Sequence, residues 1–87
     1  MKIDRDYKEI LEDFKKDNEK NLKLYKITNY AYESYMNANA FINLPNELQE
    51  RMKEQNKIVK QIINNLNYLI YITEQQIKDT ENILFDD

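Results

Sequence analysis

The sequence predicts an all-α protein, a long antiparallel helical hairpin that pairs into a homodimeric four-helix bundle. Three observations predict it. The 87 residues hold no Gly and a single Pro, Pro45, so the residues that tolerate φ > 0 in tight hairpins are missing and few, long helices remain. Apolar residues recur at helical spacing on both sides of that Pro. Finally, Gln61–Thr73, QIINNLNYLIYIT, runs thirteen residues without a charge and is apolar around more than half a helix circumference, so it needs neighbours on several sides.

The first helix is expected over about residues 4–43. Asp4 is a good N-cap residue and Asp6 suits the positive end of the helix dipole. Ile3, Tyr7, Ile10, Leu11 and Phe14 follow as an amphipathic series, and the pattern resumes through Leu22, Tyr25, Tyr32, Met36 and Ala40. Between them lies Lys15–Asn21, KKDNEKN. Nothing there enforces an interruption, so the helix is read as continuous. The alternative is a break near residues 16–21 and a three-helix monomer.

Asn43–Asn46, NLPN, is the expected turn, because the residue before a Pro is pushed out of the helical region. Pro45 at a first helical position, or Asn46 as N-cap with Gln49 three residues later, then starts the second helix. That helix is expected over about 46–84. Written in heptads with Leu66 at a, the a line is Met52, Val59, Leu66, Thr73 and Thr80. The d line is Leu48, Gln55, Ile62, Leu69, Gln76 and Ile83, and the e line is Asn56, Ile63, Ile70, Ile77 and Leu84. Ile58 and Ile72 widen the stripe at g. An a/d/e face of this kind belongs to a helix in a bundle rather than a two-stranded zipper. Acid-to-base pairs four residues apart (Asp4–Lys8, Glu12–Lys16, Glu19–Lys23, Glu47–Arg51, Glu74–Lys78) support the solvated faces.

Two helices alone enclose no core, and folding the hairpin at 43–46 sets the most apolar part of the second helix against the most polar part of the first. A second copy solves this most simply. Self-association is assigned to Ile62, Ile63, Leu66, Leu69, Ile70 and Ile77. Asn18, Gln55, Thr73 and Gln76 are the polar seam residues suited to setting register.

The composition excludes several function classes. With no His and no Cys, the usual titrating and nucleophilic groups of enzymes are missing. The one Ser, Ser34, has no catalytic context, and a Gly-rich phosphate loop needs Gly. Glu47, Glu50 and Glu54 share a face with Arg51 and Lys53, which reads as a solvated surface. No catalytic, cofactor-binding or metal site is therefore expected. Thirteen basic against sixteen acidic residues, net −3, leaves no footprint for direct nucleic-acid binding. The charged N-terminus MKIDRDYKEI lacks a signal-peptide core, and the apolar run is too short to span a bilayer. The expected location is the cytoplasm, away from any membrane.

Forty-four of the 87 residues are Asn, Lys, Ile, Tyr or Phe, all served by A/T-rich codons, which weakens any functional reading of the Asn excess. Seven Tyr invite a different thought, because Tyr supplies contact area with a polar tip. Tyr68, Tyr71 and Tyr30 lie off the a/d/e face and are the candidates for binding another protein. The short, acidic, helical, A/T-rich profile resembles that of many small phage and mobile-element proteins. The functional expectation is a small non-catalytic interaction module, a regulator or inhibitor of a larger protein. The alternative is a structural or assembly subunit acting through self-association.

Overall fold

The computed structural model describes residues 5–85 and is a helical hairpin. Helix occupies 94% of the described residues and no strand occurs among them. Two long helices, α1 (Arg5–Met36) and α3 (Asn46–Phe85), pack antiparallel, and the short α2 (Asn39–Ile42) lies in the connection. The N-cap assigned to Asp4 lies outside the described residues. α1 is uninterrupted through residues 15–21, so the broken-helix, three-helix arrangement does not form.

α1 closes at Met36, seven residues before the expected 43. Ala38 is extended at φ −82°, ψ 150°, and the chain restarts as one turn of helix. The cause is tertiary. Phe41 is buried and meets the ring of Tyr35 edge-on, centroids 6.3 Å apart, which ties the connection back onto the end of α1. Gln49 then closes the turn from the α3 side, its Nε2 donating to the carbonyls of Leu44 at 2.9 Å and Ile42 at 3.1 Å.

The register follows from three ion pairs between the helices. Lys8 reaches Glu81 at 3.1 Å and Lys15 reaches Glu74 at 3.4 Å, so facing residue numbers add to 89. Near the turn Glu33 meets Lys60 at 3.0 Å, a diagonal contact whose numbers add to 93.

The seam of α3 is its a and e lines. Asn56, Val59, Thr73 and Thr80 are buried, and Met52, Ile63, Leu66, Ile70 and Ile77 are half-buried. Alternating steps of four and three keep this narrow stripe facing one neighbour. On α1 the matching stripe is Leu11, Asn18 and Tyr32 with Lys8, Lys15, Leu22, Asn29 and Met36, all buried or half-buried. Two features let the polar middle of α1 lie against α3. Lys8 and Lys15 lay their methylene stems along the seam while their ammonium groups reach the glutamates at its edge. Thr73 and Thr80 donate their hydroxyls to their own helix, at Leu69 O (2.8 Å) and Gln76 O (2.7 Å), so neither needs a partner across it.

The result is a rod 65 Å long and 15 Å thick in Cα extents. Its radius of gyration is 19.3 Å, against about 12 Å for a compact chain of this length. Among the described residues only Leu11, Phe41 and Val59 are buried hydrophobics, and no large side chain is fully enclosed.

Candidate interaction surface

The two flanks of the seam differ. On one flank lie the cross-helix ion pairs, contributed by Lys60, Glu74 and Glu81 of α3 and by Lys8, Lys15 and Glu33 of α1. Lys60, Glu74 and Glu81 share the b line beside e. Because these charges meet across the seam, each helix turns its opposite edge to the other flank. On α3 that edge is the d and g lines; on α1 it is Tyr7, Phe14 and Tyr35 with Ile10 and Leu24.

This second flank is apolar. Tyr7, Ile10, Phe14, Leu24 and Tyr35 of α1 and Leu48, Ile58, Leu69 and Ile83 of α3 are between 38% and 55% exposed. Ile62 and Ile72 lie half-buried among them. At its turn end the flank deepens into a groove of about 300 Å3 lined by Ile27, Thr28, Ala31, Tyr32 and Tyr35. Nine exposed large hydrophobics along one flank, broken by Asp17, Asn21, Thr28, Gln55, Asn65 and Gln76, make the kind of surface that favours association.

The residues assigned to self-association divide between two surfaces. Ile63, Leu66, Ile70 and Ile77 occupy the intrachain seam, whereas Ile62 and Leu69 stand on the open flank. The partner-binding candidates lie elsewhere. Tyr30, Tyr68 and Tyr71 are 74%, 66% and 54% exposed on the outer backs of the helices. They form no common patch, since Tyr30 belongs to α1 near the turn and the other two to the middle of α3.

The charged flank shows ordinary solvated chemistry. Glu81 accepts a hydrogen bond from Lys8 and, with Glu12 nearby, holds its ammonium above the usual lysine value. Of the expected intrahelical pairs, Glu47–Arg51 forms at 2.7 Å, while Glu74 and Glu12 turn to Lys15 and Lys8. No group of three or more acidic side chains that could hold a metal ion occurs among the described residues, and no described helix is long and apolar enough to cross a membrane.

One polar feature of the seam escaped the sequence. Asn56 is buried at 6% exposure and its Oδ1 has no hydrogen-bond partner, as is also true of Asn29 Oδ1. Its place on the e line gave the position, but the missing partner is visible only in three dimensions. Comparison with protein-family models, with curated proteins and with solved structures returned no match.

Proposed function

We propose that this chain is a small non-catalytic protein–protein interaction module, a cytoplasmic regulator or inhibitor that acts by occupying a surface of a larger protein. One observation carries the reading: the molecule wears its apolar residues outside. Among the described residues fifteen large hydrophobics are exposed against three buried hydrophobics. Such a chain gains stability when another protein covers it, at roughly 25 cal/mol for each Å2 of apolar surface removed from water. Tyr68 and Tyr71, two aromatics a turn apart on a helix held by its own seam, remain the favoured contacts to the larger protein, with Tyr30 as a separate site. They lose little side-chain freedom on binding. An encoding phage or mobile element fits the style of the sequence.

The test is sedimentation of tagged chain from its native cell after brief cross-linking, beside the purified chain. The reading expects a covered species heavier than the 10.6 kDa chain, with a heterologous component lost in a Tyr68→Ala/Tyr71→Ala variant of unchanged helicity. A lone 10.6 kDa species in both samples refutes it.

A further inference from the structure

We infer that the occupant of the open flank is a second copy of this chain, laid antiparallel about a two-fold axis that crosses the rod at Leu24 and Asn65. The inference rests on the reading of the chain as an interaction module and names the first partner. Its first support is area. The chain exposes 6975 Å2, whereas a compact protein of its mass exposes about 5,500 Å2. Burying that excess of about 1,500 Å2 from each of two copies gives about 3,000 Å2 in total, within the range of obligate homodimers.

The second support is the order of residues along the flank, which reads almost alike in both directions. On the d line of α3, Leu48 corresponds to Ile83, Gln55 to Gln76, and Ile62 to Leu69. On the g line the centre is Asn65, with Ile58 and Ile72 placed evenly about it. Farther out, Arg51 and Asp79 stand fourteen residues to either side. Turning one copy end for end therefore sets apolar on apolar, Gln on Gln, and Arg51 beside Asp79 of the second copy, twice. An isologous interface demands this self-complementarity. On α1 the same reversal brings Phe14 to Tyr35 and Asn21 to Thr28, about a centre at Leu24.

The two centres are independent, yet they coincide. Leu24 and Asn65 add to 89, the offset of the Lys8–Glu81 and Lys15–Glu74 pairs, so they lie at nearly the same level of the rod. One axis serves both helices. An axis running along the rod would align like ends instead, leaving Arg51 and Asp79 about 42 Å apart along the helix.

Three measurements decide it. Light scattering of the purified chain is expected to give twice 10.6 kDa; a mass of one chain overturns the inference while leaving a heterologous partner as the occupant. Arg51→Asp and Asp79→Arg should each weaken the dimer about tenfold, and the double swap should restore it; a double variant as weak as the singles overturns the arrangement. The chain has no Cys, so single cysteines report position cleanly. A bis-maleimide matched to the ~8–10 Å spacing of packed helices should link Asn65→Cys to itself. It should leave Gln55→Cys monomeric, its two copies being ~30 Å apart, but join Gln55→Cys to Gln76→Cys in a mixture. Equal linking of Asn65→Cys and Gln55→Cys, or linking of neither, overturns the antiparallel axis even where the mass is that of a dimer.

Discussion

Replacing Asn56 with Leu removes a buried carbonyl oxygen that has no hydrogen-bond partner and puts an apolar side chain of similar size into the seam. A carbonyl oxygen that gives up water on folding without a protein partner costs about 1–3 kcal/mol. Leu at the same place adds apolar burial next to Val59, itself buried. The expected gain is about 1–2 kcal/mol, or roughly 4–16 °C in Tm for a domain of this size. The gain should come without loss of a unique fold. Polar seam residues in coiled coils fix register between separate chains, but here the turn at Phe41, Leu44 and Gln49 already fixes it. Thermal unfolding followed by circular dichroism, at one chain concentration for all variants, reads the effect. Asn64→Leu, on the exposed back of α3, is the control and should change stability by no more than about 0.5 kcal/mol. An Asn56→Leu variant no more stable than the parent would show that Asn56 is satisfied in solution and that the seam is packed differently around it.

Phe41→Ala should cost about 3 kcal/mol, through lost burial and the lost edge contact with Tyr35, and denaturant unfolding would report it with helicity otherwise nearly unchanged. Lys15→Met, which keeps the stem along the seam and removes the charge, should cost less than Lys15→Ala; high salt should narrow the gap between wild type and Lys15→Met and leave the gap between the two variants unchanged. Glu81 raises the Lys8 value above the ordinary 10.5, so its contribution is complete below that pH and disappears as the pH climbs through the raised folded value. A Glu81→Gln variant should remove most of this alkaline component of the unfolding profile and leave the smaller share due to Glu12. If the second copy covers the flank, Tm should rise by about 3–6 °C for each tenfold increase in chain concentration; a concentration-independent Tm would contradict that.

Much of the architecture was legible because the chain offers so few alternatives. Without Gly, and with Pro45 alone to stop a helix, the hairpin and the start of α3 at Asn46 follow from backbone sterics. The continuity of α1 through KKDNEKN is legible for the same reason. The end of α1 was not: Asn37 and Ala38 carry no strong stop signal, and the break is imposed by Phe41 packing onto Tyr35. Nor did the heptads reveal which line faces α1. The d line (Leu48, Ile62, Leu69, Ile83) is as apolar as the e line, and hydrophobicity alone cannot rank them. The missing signal lay in the charges. Lys60, Glu74 and Glu81 sit on one heptad line beside e, fourteen and seven residues apart, with Glu33, Lys15 and Lys8 as their partners on α1, which places the seam between a and e. For the candidate sites, the exposure of Tyr30, Tyr68 and Tyr71 was readable from their distance to the stripe. The division of the Ile/Leu cluster between seam and flank was not.

The two flanks divide the physical work. The ion-paired flank holds its charges in water, where each pair contributes little to stability, but desolvating them against another protein would cost much more than that. It therefore closes that side of the seam to further association. The apolar flank carries the opposite sign, since most of what is covered there is apolar and only Gln55, Gln76, Asn65, Asn21, Thr28 and Asp17 along it must exchange water for partners. A two-helix rod cannot enclose side chains by itself, and here only three hydrophobics are buried among the described residues while Leu48, Ile58, Leu69 and Ile83 of α3 stay exposed. Covering the open flank and completing the core are thus the same event. A chain built this way would be steadied by any neighbour it takes up, and the side left open for one is set by the positions of six charged residues.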